Sequence, residues 1–392
     1  MSAGYPRRRK CQEGTGNGQM KGTYAEPQVT SYLFAKAARE HVPVNGTFEL
    51  SPLCNLNCRM CYVHMTAQQV RESGLIMMSN DEWLKLAEEA KEQGMLYLLL
   101  TGGEPFLHPG FRELYEKLSG MGFILSINTN GTLIDDDVIR WLTDRPPCRI
   151  NITLYGASED TYEKLCGRAD GYDRVKHAIE GLQKAGISVK LNCSLTPYNV
   201  CDLEEMVRFA DERGMILEIA PYMFPAIRRG EENIGKNDRF TPEETAHYMF
   251  EIHRLQHGED AVKPFARQIL QGSIPVSLEE CQELEPDGTV RCRAGRATFW
   301  VTWHGEMRPC GMMERPGVPV RNRKFSEAWK ELTELTGRIR LSGACSRCDS
   351  QKICHACAAM ALAETGEFEK TPGYLCRMVN ALRKEASFRL NL

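Results

Sequence analysis

From residue 47 to residue 221, short apolar runs alternate with segments whose apolar positions recur every three or four residues. This pattern predicts strands at Thr47–Leu53, Leu96–Thr101, Phe123–Asn128, Arg149–Leu154, Ser188–Leu195 and Ile216–Pro221. Amphipathic helices at Asp81–Gln93, Phe111–Leu118, Asp136–Thr143, around Thr161, at Asp173–Lys184 and at Leu203–Glu212 separate or follow them. The first helix carries its own punctuation: Ser79 with Glu82 reads as a capping box, Trp83, Ala87 and Ala90 share a face, and Gly94 suits a left-handed cap. Pro146 and Pro147 stop the third. Strands alternating with helices predict parallel pairing through right-handed crossovers. An open doubly wound sheet and a barrel both satisfy that pattern.

The flanks behave differently. Residues 1 to about 30 form a polar, Gly- and Arg-containing tail, and Ser31–Glu40 has the length of one short helix. Beyond Phe240 the alternation stops; a helical stretch, Pro242–Leu255, leads into Cys-, Gly- and Pro-punctuated sequence. Three regions result: an N-terminal segment (1–45), an α/β core (46–240) and a C-terminal region (241–392). No fixed-period repeat marks a solenoid or propeller.

Charge narrows the function classes. Across 392 residues, 49 Lys and Arg against 52 Asp and Glu leave a formal net charge of -3, with no global field to favour nucleic acid or an anionic membrane. No window is apolar for the roughly 20 residues that a membrane helix needs, and no apolar stretch follows the charged N-terminus, which points to the cytoplasm. Sixteen cysteines exceed what the core of a cytosolic protein uses, and a reducing compartment would not keep them as disulfides. Their clustering suggests metal ligation.

Cys54, Cys58 and Cys61 sit on the segment leaving the first strand, where parallel α/β folds build sites. Three such thiolates can grip three irons of a four-iron cluster and leave the fourth open. A zinc site would need a fourth ligand, for which His64 is the local candidate. The C-x3-C-x2-C run resembles the cluster loop of the radical S-adenosylmethionine (SAM) enzymes. Leu100-Thr101-Gly102-Gly103-Glu104-Pro105, after the second strand, resembles that family's Gly-Gly-Glu-Pro motif. Two glycines permit close backbone approach, and Glu104 can accept hydrogen bonds from an ammonium group.

The resemblance implies a partial (β/α)6 TIM-like barrel. It also implies a catalytic [4Fe-4S] cluster on Cys54, Cys58 and Cys61, with SAM contacted by Met60, Gly102, Gly103, Glu104, Thr153 and Arg168. Thr153 would meet the ribose and Arg168 the methionine carboxylate; Asn128 and Asn130 are alternative residues facing the cofactor. One electron into the sulfonium would break a carbon–sulfur bond and give a 5′-deoxyadenosyl radical able to abstract hydrogen, under anaerobic, reducing conditions and with an external flavodoxin- or ferredoxin-type donor.

The remaining cysteines, Cys281, Cys292, Cys310, Cys345, Cys348, Cys354, Cys357 and Cys376, resemble a SPASM domain, a cysteine-rich extension holding two auxiliary [4Fe-4S] clusters. The resemblance assigns Cys281, Cys292, Cys310 and Cys357 to the first and Cys345, Cys348, Cys354 and Cys376 to the second. The sequence departs from the family in spacing Cys354 and Cys357 by two residues where three are usual. Zinc-ribbon sites are the alternative use of repeated C-x2-C. Cys11, Cys148, Cys166, Cys193 and Cys201 stay unassigned, and most of them read as small core residues.

Enzymes of this two-part design often modify peptides or proteins. Gly311 stands where the sulfatase-maturing group carries an aspartate after the cysteine matching Cys310, so that group's base is missing. The expected partner is a peptide or protein substrate, presented with the help of a separate leader-binding protein or of the C-terminal region. Oxidation, thioether or carbon–carbon cross-linking and epimerisation are the open chemistries, and no catalytic acid or base is assigned. Tyr222, Arg228, Arg229, Trp300 and Trp303 are candidates to line a substrate cavity. A radical enzyme of small molecules is the alternative, and a non-enzymatic Fe–S electron carrier or zinc-stabilised binding protein is the alternative of another class.

Overall fold

Six parallel strands follow one another in chain order in this computed structural model, which describes residues 28–272, 288–289 and 292–391. They are β1 (Asn45–Glu49), β2 (Tyr97–Thr101), β3 (Ile124–Thr129), β4 (Arg149–Thr153), β5 (Val189–Ser194) and β6 (Leu217–Ala220). Each pairs with the next, so right-handed crossovers carry all the intervening helices to one face. That decides between the two sequence options, because a doubly wound sheet would have helices on both faces. The array stays open, as a partial barrel does.

The helices are α1 (Gln28–Glu40), α2 (Ala67–Ser73), α3 (Asn80–Glu92), α4 (Phe111–Gly120), α5 (Asp136–Asp144), α6 (Glu159–Cys166), α7 (Gly171–Lys184), α8 (Leu203–Glu212), α9 (Pro242–His257) and α10 (Val262–Leu270). Local sequence sets their starts. Ser79 and Glu82 close a reciprocal capping box on α3, and Thr241 with Glu244 repeats it on α9. Asp135 and Ser158 cap α5 and α6 through their side chains.

The period of two along the strands separates the faces. Phe48, Leu98, Leu100, Leu125, Ile127, Ile150, Ile152 and Leu191 are buried against the helices, with Trp83 of α3 stacked 4.8 Å from Phe48. The opposite face is polar: Asn128, Asn151 and Lys190 stand side by side in register, and Thr153, Asn192 and Glu218 form the next row.

The first strand ends at Glu49 rather than Leu53. Leu50 N still donates to Thr101 O (2.8 Å), but Ser51 O and Leu53 O accept from Gly103 N (2.7 Å) and Glu104 N (2.9 Å), so two loops are laced together where the strand would have continued.

The C-terminal region adds to the same sheet. β7 (Thr298–Val301) runs parallel to β1 on its free edge, and β8 (Glu306–Arg308) and β9 (Val318–Pro319) follow antiparallel. Helix Phe325–Gly337 covers β7 with Phe325 against Phe299 (5.1 Å), while α9, α10 and the last helix, Gly373–Asn391, share a core of Phe250, Phe265, Ile269, Val379 and Leu382. No helix among the described residues is long and apolar enough to cross a membrane.

Candidate active site

Cys54, Cys58 and Cys61 lie on the loop leaving β1, at the carboxyl end of the parallel strands, and the loop is fixed from several sides. Asn57 N and Arg59 N donate to the carbonyls of Cys166 (2.8 Å) and Leu165 (3.1 Å) at the end of α6. Asn130 Nδ2 reaches Asn55 Oδ1 (3.0 Å) and Cys54 Sγ (3.6 Å). A Cβ on Gly103 would stand 2.4 Å from Leu53 O, and one on Gly102, whose φ is +152°, 2.5 Å from Ser51 O. The two glycines are therefore required by the contact between the loops, a nearer need than the ligand approach expected from sequence.

Burial pushes the Cys54 thiol up to about 12 and raises that of Cys61; Cys58 is held high first by a hydrogen bond with the Cys166 thiol and then by burial. Such thiols ionise when a cation compensates them, and metal ligation supplies that compensation. The N–H groups of Leu56 and His64 already donate to Cys54 Sγ (3.4 Å) and Cys61 Sγ (3.2 Å), an arrangement that favours ligated thiolates. Among the described residues no three His, Cys, Asp or Glu side chains converge as one metal ion would require. Three thiols on one short loop can supply three corners of a polynuclear cluster, and the donor set fits an iron–sulfur cluster with an open iron.

Glu104 is fully buried behind this loop. Its carboxylate accepts from Thr129 Oγ1 (2.8 Å), Asn130 N (2.9 Å) and Phe106 N (3.2 Å). Burial pushes its pKa up to about 7 against those three donors. Thr129, absent from the sequence reading, is the residue that holds Glu104; its position at the end of β3, before the Asn130-Gly131 turn, is the signal that could have found it. Asn128 Oδ1 accepts from Asn151 Nδ2 (2.6 Å), and Asn151 Oδ1 is buried without a partner among the described residues, an acceptor that a donor on a polar ligand would satisfy. Thr153 is in the adjacent row, beside Asn192. Met60 is partly buried and packs on the main core. Arg168 is ion-paired with Asp170 (2.6 Å) at the turn between α6 and α7, so meeting a ligand carboxylate would require that pair to open.

The C-terminal cysteines fall into two neighbourhoods. Burial, then Cys376 and Cys348, raise the Cys345 thiol, while Cys354 is pushed up to about 11 by burial with Cys376, Cys345 and Cys348 beside it. Cys310 and Cys357 pack against one hydrophobic cluster that includes Ile227, Met313 and Leu362, and their sulfurs accept from Met312 N and Met360 N, each at 3.5 Å. Cys292 Sγ accepts from Ala294 N (3.5 Å), and Cys281 lies outside the described residues. Cys166 and Cys193 are buried as expected, but Cys148 and Cys201 are exposed, because they stand on connections rather than on packed faces; Cys11 lies outside the described residues.

Of the cavity candidates, Arg228 is buried against Glu49 (2.7 Å), which also accepts from Trp300 Nε1 (2.9 Å). Arg228, Arg229 and Trp303 line one cavity beside Tyr62. Tyr222 points elsewhere, donating to Glu364 Oε1 (2.6 Å), which is also ion-paired with Arg239 (2.5 Å).

Residues 48–210 match the model of the radical SAM superfamily. The chain is 25% identical over 351 residues to the AdoMet-dependent heme synthase of Methanosarcina barkeri, an alignment covering 86% of this chain and 97% of that one. It is 24% identical over 359 residues to the PqqA peptide cyclase of Rhizobium meliloti, covering 88% and 89%. Its fold is that of Streptococcus suis SuiB bound to S-adenosylmethionine, with a TM-score of 0.60 at 16% identity over 92% of this chain and 83% of that chain.

Proposed function

We propose that the chain is a radical SAM enzyme that abstracts hydrogen from a peptide or protein substrate, leading to oxidation, cross-linking or epimerisation. The observation that carries this reading is the lacing of the three-cysteine loop to Gly102-Gly103-Glu104 and to Asn130, which fixes a cluster loop and a polar cradle at one end of an open barrel. Cys54, Cys58 and Cys61 would hold a [4Fe-4S] cluster and leave one iron for SAM, which when bound supplies a carbon-centred radical able to take hydrogen from an unactivated carbon.

The chain's own residues bind and orient. Gly102, Gly103 and Glu104 form the wall beside the cluster loop, Met60 lies within that loop, and Thr153 with Asn128 and Asn151 offers hydrogen bonds from the open barrel face. Arg168 would contribute after release from Asp170. The apolar face under Phe48, Leu100 and Ile127 excludes water from behind the strands. Cys345, Cys348, Cys354 and Cys376 would hold one auxiliary cluster, and Cys292, Cys310 and Cys357, with Cys281, another. An external flavodoxin- or ferredoxin-type protein would deliver electrons, and a separate protein would present any leader.

The similarity to PqqA peptide cyclase favours the peptide substrate. A second reading, a small-molecule substrate, is favoured by the alignment that spans 97% of the heme synthase. Anaerobic reconstitution, iron counting and deoxyadenosine release under dithionite test the reaction class. About twelve irons falling to about eight when Cys54, Cys58 and Cys61 all become Ala, with loss of deoxyadenosine, is the expected result. Zinc in place of iron, or cleavage that survives the triple substitution, overturns it. A mass change in a short peptide encoded beside the gene would separate the peptide reading from the small-molecule one.

A further inference from the structure

Immediately after Cys61 the chain passes a cavity of ≈ 340 Å³. Tyr62 and Trp303 supply aromatic walls, and the cations Arg228, Arg229 and Arg308 all line it. Two of the three are already committed. Arg228 donates twice to Glu49 (2.7 and 2.8 Å) and once to Gly311 O (3.0 Å); Arg308 donates to Glu306 (2.7 Å) and to Met313 O (3.4 Å). Arg229 has one long bond, to Cys61 O (3.4 Å), and no carboxylate partner among the described residues. Its backbone is nevertheless pinned, because it is the last residue of the single turn Ile227–Arg229 that Arg228 anchors to β1 and to Gly311.

His304 adds an unfilled acceptor. Its Nε2 faces Glu306 Oε2 (3.3 Å) and Thr302 Oγ1 (3.4 Å); in the tautomer that donates from Nε2 to the carboxylate, Nδ1 is an acceptor. Nδ1 is buried without a partner among the described residues. At ≈ 340 Å³ the cavity lies at the lower end of the range of about 300 to 1,000 Å³ for pockets that enclose a ligand, and it suits a single group on a larger substrate. Glu314 also lines it, and one wall carboxylate disfavours a dianion such as phosphate while leaving a monoanion favourable against Arg229.

We infer that this cavity receives a carboxylate-bearing group of the substrate, with Arg229 as its anchor and His304 Nδ1 accepting from an N–H or O–H beside it. The guanidinium fork matches a carboxylate in two parallel bonds. The inference rests on the reading of the chain as a radical SAM enzyme, because it takes the cavity beside Cys61 to be the substrate side of the cluster loop. The carboxylate can belong to an acidic residue of a peptide or to a small organic acid.

The test is calorimetric titration of the reconstituted, SAM-bound enzyme without reductant, using the blocked tripeptide Gly-Glu-Gly, its Gly-Gln-Gly counterpart and the free monoanion butyrate. The acidic tripeptide is expected to bind about tenfold more tightly than the amide, the effect of one charge-assisted pair, and Arg229→Gln to reduce that preference to about twofold or less while Arg229→Lys retains part of it. Arg229 is exposed, so the substitutions leave the packed fold alone. Tight butyrate binding would assign the carboxylate to a small acid, and binding of the acidic tripeptide alone would assign it to a peptide. Equal binding of the Glu and Gln probes, no binding of any carboxylate probe, or a preference that persists in Arg229→Gln overturns the inference. Deoxyadenosine release by the wild-type enzyme, measured in parallel under dithionite, keeps the two readings apart: cleavage without the preference removes the cavity assignment alone, and the preference without cleavage removes the radical reading and leaves a carboxylate site.

Discussion

Arg228 and Glu49 form a two-bonded ion pair, 2.7 and 2.8 Å long, in which the Glu49 side chain is fully buried. Burial alone would push Glu49 up, but the Arg228 guanidinium overrides it and holds the carboxyl below the usual range, with Trp300 donating as well. The pair joins β1, the turn after β6 and β7. Removing one partner leaves a buried charge uncompensated, so Arg228→Met is expected to cost about 3–5 kcal/mol, whereas the double change Glu49→Met with Arg228→Met should recover most of that. Urea unfolding of the cluster-free protein under reducing conditions measures both. A single-variant loss below about 1 kcal/mol would show that the pair is not structural.

Gly103→Ala should act on the cluster rather than on the fold. Its Cβ would meet Leu53 O at 2.4 Å, a backbone atom that cannot swing aside without moving the loop that begins at Cys54. The expected result is retained secondary structure by circular dichroism and a fall from about twelve to about eight irons after reconstitution. Full iron loading would mean that the loop tolerates the shift.

The elements with strong local signals were legible. The α3 capping box and the buried Trp83, Ala87 and Ala90 form as the spacing predicts, because capping and periodicity are local properties. Whether the sheet closes toward a barrel is not local; it depends on strand order, which the alternation of elements leaves open. The cysteine loop was readable from its spacing. The partners that fix it were not, because Asn130 reaches it from 75 or more residues along the chain and Cys166 from the far end of another helix. The sheet-extending hairpin was missed for a related reason: Thr298–Val301 is only four residues long and acquires its partner, β1, from the far end of the chain.

Glu104 gives a pH signature. Its folded pKa is raised to about 7 from an ordinary value of 4.5, so its contribution to stability is intact below about 4.5 and is lost as pH rises through 7. Relative to Glu104→Gln, which does not titrate, the wild-type protein without SAM should lose about 3 kcal/mol between pH 4.5 and pH 8. Urea midpoints across that range read the difference. A constant gap would mean that the donors Thr129, Asn130 and Phe106 keep the carboxylate ionised throughout.

Cys166 was read from sequence as a core filler, and it is fully buried, but its thiol lies in hydrogen-bonding contact with Cys58. With Cys58 ligated as a thiolate, the Cys166 S–H becomes the donor, because the thiolate can only accept. Hydrogen bonds to cluster sulfurs stabilise the more negative, reduced state and so raise the reduction potential. Cys166→Ala removes the donor and should lower the potential of the catalytic cluster, while Cys166→Ser keeps a donor and should stay near the wild type. Potentiometric titration followed by electron paramagnetic resonance reads this directly, with iron content confirming that the cluster is present in all three proteins. A merely packing role for Cys166 predicts a loss of thermal stability in Cys166→Ala with the potential unchanged, and that outcome would remove Cys166 from the site.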